Sequence, residues 1–99
     1  MDELILMAEP RSVVGKQVRQ LRRAGMVPGV VYGPDYPTTI QVSVNRRELE
    51  RLYATHGLNN PFTLRWNGGQ ARVVIREVQE DPIKREPLHV DFYAPRFGA

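Results

Sequence analysis

With 99 residues, 41% of them hydrophobic and 25% charged, the chain is expected to form a single folded domain with one modest core, and its composition carries no signature of disorder. Its net charge of +3 is a mild excess, and the absence of cysteine excludes disulfides and thiolate metal sites. The longest apolar run, Leu4 to Ala8, is too short for a bilayer and follows Asp2 and Glu3 instead of a basic leader, so a cytoplasmic protein with no membrane contact is expected.

"LILMA" at residues 4 to 8, closed by Glu9-Pro10, reads as a buried strand. A helix is expected from Gly15 to Ala24, where Val14, Val18 and Leu21 form an apolar stripe and Lys16, Arg19 and Arg23 a basic one. Gly25 is its stop. "GVVY" at residues 29 to 32 follows as a strand, ended by Gly33-Pro34 and a polar turn through Pro37. In "TTIQVSV", Ile40, Val42 and Val44 alternate with Thr39, Gln41 and Ser43, the pattern of a half-buried strand. Asn45 then caps a second helix with Glu48 as its partner; Leu49, Leu52 and Tyr53 make its core face and Gly57 ends it.

Asn67-Gly68-Gly69 joins "FTLRW" to "QARVVIREVQ" as a hairpin, with Phe62, Leu64 and Trp66 on one face. In the last strand Leu88, Val90 and Phe92 face the core, which turns His89 and Asp91 outward together. About six short strands, several joined by links too short for a crossover helix, favour a mainly β fold with antiparallel pairing and two or three short helices. Closure into a small barrel removes the exposed edges such strands would otherwise present.

Charge is distributed unevenly. Residues 11 to 23 hold Arg11, Lys16, Arg19, Arg22 and Arg23 with no acid, whereas Glu77, Glu80, Asp81 and Glu86 gather later in the chain. A solvated helix face usually interleaves acids with its cations, and this one does not. The arginine fork matches phosphate oxygens, so the segment reads as a polyanion contact.

Gln79, His89 and Asp91 form a second constellation. An acid–base pair is conceivable from His89 and Asp91, but no nucleophile or metal-ligand spacing accompanies them, and His56 stands apart at a helix end. A plain cross-strand polar pair is the bland alternative. As binding groups, the three can hydrogen-bond sugar hydroxyls and base edges. Tyr32 is either a core ring with its hydroxyl at the rim or a contact to ribose or phosphate. Gly29 and Gly33 either admit a ligand to the backbone or serve turns.

"GKQVRQLRRAGMVPGVVYG" followed by "EVQEDPIKREPLHVDF" resembles large-subunit ribosomal protein twenty-five, the 5S rRNA-binding family that includes the general stress proteins, in order from Arg11 through Phe92. The resemblance implies a six-stranded antiparallel β-barrel, one domain over residues 1–99, docked on the loop E region of 5S rRNA in the central protuberance. It implies RNA contacts from Arg11, Lys16, Arg19, Arg22, Tyr32, Gly33, Gln79, His89 and Asp91, with Arg76 at a position that is polar in relatives. Arg23 joins this set through the basic stripe. The segment at Lys16 is one residue shorter than in some relatives, and Glu80 stands where some carry a base. Many relatives continue into a second β domain, and ending at Ala99 the chain resembles the short form. No enzymatic activity, cofactor or small-molecule substrate is implied. The expected partners are 5S rRNA, the large ribosomal subunit and neighbouring ribosomal proteins. A protein-interaction module and an RNA chaperone without preference for 5S rRNA are the competing readings.

Overall fold

A computed structural model describes residues 4–10 and 16–96, with residues 16–18 described through their backbone alone. Six strands and two helices follow in the order β1 (Ile5–Pro10), α1 (Lys16–Arg23), β2 (Met26–Gly33), β3 (Tyr36–Asn45), α2 (Arg46–His56), β4 (Phe62–Trp66), β5 (Gly69–Glu80) and β6 (Pro87–Tyr93). The strands close into a barrel in the order β1-β3-β2-β6-β5-β4. Every expected strand and both helices are present, and β2 begins at Met26, ahead of the "GVVY" run.

The expectation of an all-antiparallel barrel needs correction: the sheet is mixed. β2 and β3, β4 and β5, and β5 and β6 are antiparallel neighbours joined by short connections, and the non-consecutive pair β1 and β3 is antiparallel as well. β1 runs parallel to β4, and β2 runs parallel to β6. A tight turn forces the strands it joins to be antiparallel. β1 with β4 and β2 with β6 are distant in sequence, so no turn governs their direction.

Local signals act as expected. The Asn45 side chain accepts a hydrogen bond from the Glu48 backbone N–H at 3.0 Å, satisfying one of the orphan donors at the start of α2. Gly57 ends α2 in the left-handed region at φ 72°, its N–H bonded to the Tyr53 carbonyl. Gly25, at φ 81°, stops α1, and its carbonyl receives the Arg46 N–H at 2.8 Å, tying the two helices together. Leu6, Val27, Val31, Val42, Val44, Leu64, Val73, Ile75 and Val90 fill the interior, with Phe62 and Phe92 edge to face at 6.1 Å. Leu49 and Leu52 of α2 join this core, each such burial contributing about 2 kcal/mol. Trp66 packs against the core, half-buried. The apolar stripe expected on α1 rests partly on Val14 and Val18, which lie outside the described side chains.

Among the described residues, no helix is long and apolar enough to cross a membrane.

Candidate nucleic-acid interface

Strand alternation builds the site on the outside of β6. Val90 and Phe92 are buried, so His89, Asp91 and Tyr93 emerge on the opposite face at two-residue intervals. His89 Nδ1 and Asp91 Oδ1 stand 3.2 Å apart, each side chain between a quarter and a third exposed, at 29% and 26%. On one side β5 sets Gln79 opposite His89 and Glu77 opposite Asp91. On the other side β2 sets Val30 opposite Asp91 and Tyr32 opposite Tyr93. The Tyr32 and Tyr93 rings are 5.4 Å apart and tilted by 53°. Burial, and after it the negative charge of Asp91, raises the Tyr32 phenol above its ordinary value of 10.0.

Arg76 owes its position to a break in the ladder. Ile75 pairs with Phe92 and Glu77 with Asp91, so Arg76 is the extra residue of a β-bulge. Ile75 is fully buried, and both Arg76 and Glu77 are exposed. The Arg76 guanidinium carbon lies 4.4 Å from the centroid of the Tyr93 ring, a cation–π contact.

Helix α1 reaches the same wall. The Arg22 Nη2 group donates to the Leu88 carbonyl at 3.4 Å, setting the end of the helix beside the start of β6. Arg19 and Arg23, one turn apart, are exposed with Arg22, and α1 carries no acid in its first turn. Lys16 opens the helix, one turn before Arg19, but its side chain lies outside those described; Arg11 lies outside the described residues altogether. The structure therefore unites Arg22, Tyr32, Arg76, Gln79, His89 and Asp91 on the β2–β6–β5 wall. It joins Arg19 and Arg23 to them only through their shared helix.

Gly33 has a reason of its own to be glycine. A Cβ there would sit 2.2 Å from the Ala94 carbonyl oxygen, where the Ala94 N–H bonds to the Tyr32 carbonyl at 2.8 Å. At Gly29 a Cβ would meet Val90 at 2.8 Å. Both glycines thus serve the close approach of β2 to β6, and Gly33 also pairs with Tyr36 across the turn to β3. His56, the other histidine, is absorbed by structure: its Nε2 lies 3.0 Å from the Pro61 carbonyl, and its ring meets Phe62 edge-on. Among the described residues, no three His, Asp or Glu groups gather to hold a metal ion.

Sequence reasoning missed Tyr93 and Glu77. Tyr93 was within reach, since it lies two residues beyond Asp91 on the same face. Glu77 was not, because the bulge shifts it outward with Arg76.

Basic groups at the helix end of this wall and acceptors, donors and rings along its length define a small β-barrel domain with a mixed polar and aromatic face. The model of the ribosomal L25p family matches residues 6–92, and the chain belongs to that family. It is 44% identical over 91 residues to the large ribosomal subunit protein bL25 of Thermomicrobium roseum, covering 92% of this chain and 41% of that relative. The protein of the same name from Thermosipho africanus is 42% identical, over 99% of this chain and 48% of its own length. That from Methylocella silvestris is 43% identical, over 95% and 42%. The chain therefore spans less than half the length of these relatives.

Proposed function

We propose that this chain is a structural, non-enzymatic part of the large ribosomal subunit in the cytoplasm, binding 5S rRNA at its loop E region in the central protuberance. The bL25 name of its relatives supports the subunit. The observation that carries the RNA reading is the Arg22–Leu88 contact at 3.4 Å, which brings an acid-free helix end against the strand bearing His89 and Asp91. Cations on α1, with Arg11 and Lys16, hold the sugar-phosphate backbone, while Gln79, His89, Asp91 and Tyr32 read the groove. The backbone grip fixes register and the strand groups supply preference. Helical RNA hides its major-groove edges except where irregular pairs open it, and its minor groove offers 2′-hydroxyls that Asp91 and Gln79 can engage. Gly33 contributes through backbone alone, since β6 leaves it no room for a side chain.

Titration of the purified chain with 5S rRNA and with an unrelated RNA of equal length, at two salt concentrations, tests this. The expected result is tighter binding to 5S rRNA and a fall in both affinities with salt. Arg22→Ala weakens both complexes and reduces the salt slope by about 1. Asp91→Ala costs about 1–3 kcal/mol on 5S rRNA and little on the unrelated RNA. Equal losses on both RNAs from both substitutions would refute the division of labour. Salt-insensitive, weak binding would instead support a protein-interaction module.

A further inference from the structure

The geometry points to a nucleobase-stacking subsite at Arg76, built by Tyr93 acting as a positioning residue. This inference rests on the RNA-binding reading and adds to it a base-recognition site. Three observations converge there. The bulge at Arg76 takes the residue out of the ladder and leaves it outward next to Glu77, so a long cation stands on the wall with no residue paired directly across from it on β6. Tyr93 lies beneath the guanidinium, its ring centroid 4.4 Å from the guanidinium carbon. Tyr32 in turn supports Tyr93, ring to ring at 5.4 Å.

An exposed arginine normally samples many rotamers and loses that freedom on binding. Here the Tyr93 ring stands 4.4 Å from the guanidinium of an exposed arginine, a contact that narrows where the cation points before any ligand arrives. A flat, delocalised cation suits an unstacked base, because bases stack on guanidinium planes as they do on aromatic rings. A phosphate needs no such plane, only charge. His89 and Asp91 precede Tyr93 on the same face of β6, so a base on Arg76 would lie next to the groups assigned to groove reading. The subsite thus takes a base that irregular pairing has freed from the helix, with Arg76 stacking on it and Tyr93 positioning Arg76.

The test uses the whole chain with a 5S rRNA transcript and an unrelated RNA of equal length, in a double-mutant cycle. Arg76→Ala is expected to weaken 5S rRNA binding about tenfold. Arg76→Lys, which keeps the charge and loses the plane, is expected to weaken it nearly as much. Tyr93→Leu is expected to cost about two- to fivefold in the wild-type background and nothing further beside Arg76→Ala. Tyr93→Phe, which keeps the ring, is expected to bind as wild type. Full rescue by Arg76→Lys overturns the inference in favour of a phosphate contact. An equal cost of Tyr93→Leu in both backgrounds also overturns it, since Tyr93 would then act through the barrel alone. Equal wild-type affinity for the two RNAs would defeat the 5S rRNA reading while leaving the cycle readable on either RNA; if neither RNA binds, both fall.

Discussion

The barrel closes twice through parallel strands, and the two closures make opposite demands on their residues. Where β2 meets β6 the backbones crowd: a Cβ at Gly29 or Gly33 would fall within 2.8 Å of Val90 or 2.2 Å of Ala94. That wall turns tyrosines, an acid and a histidine outward. Where β1 meets β4, ordinary side chains suffice. Leu6 and Leu64 are buried in register, and the outward residues Ile5 and Met7 are apolar and 41% and 54% exposed. The crowded wall packs backbone against backbone and tolerates little, whereas the other closes the core and leaves Ile5 and Met7 largely open to solvent.

The contrast can be broken most severely where the two walls touch. Phe92 of β6 lies edge-on to Phe62 of β4, fully buried, so Phe92→Ala is expected to cost about 4 kcal/mol, read as a lower urea midpoint. Gly33→Ala comes next. Its methyl would collide with backbone, which cannot yield as a side-chain end does, and a loss of about 3 kcal/mol is expected. Met7→Ala on the β1 wall is the paired control and is expected to stay within about 0.5 kcal/mol of wild type. Comparable losses from Gly33→Ala and Met7→Ala would erase the distinction between the closures.

The smallest effect is a titration. The Tyr32 pKa is raised by burial first and by Asp91 second, so the folded chain holds this proton more tightly than the unfolded one. Its contribution to stability is full below pH 10.0 and is lost as pH rises through the folded value. Chemical denaturation across that alkaline range is expected to show a steeper loss for wild type than for Tyr32→Phe. Coincident curves would mean that Asp91 and the barrel do not perturb the phenol.

Much of this architecture is legible along the chain because the interactions behind it span a few residues. Asn45 and Glu48 mark the start of α2, Gly25 and Gly57 stop the helices at positive φ, and Asn67-Gly68 folds a hairpin. The period-two pattern of "LHVDF" likewise puts His89 and Asp91 side by side on the outer face. Other features lie beyond any local rule. The parallel pairings join strands that no turn connects, so their direction follows from how the sheet closes on its core. Arg22 finds Leu88 across 66 residues, and Gly33 is needed because of Ala94, which only folding brings near. A bulge changes the side-chain count by one, so the period that orders the rest of β5 cannot announce that Arg76 will lie over Tyr93. Periodicity and caps depend on neighbours in sequence, whereas close approach and aim depend on neighbours in space, and those exist only once the barrel has closed.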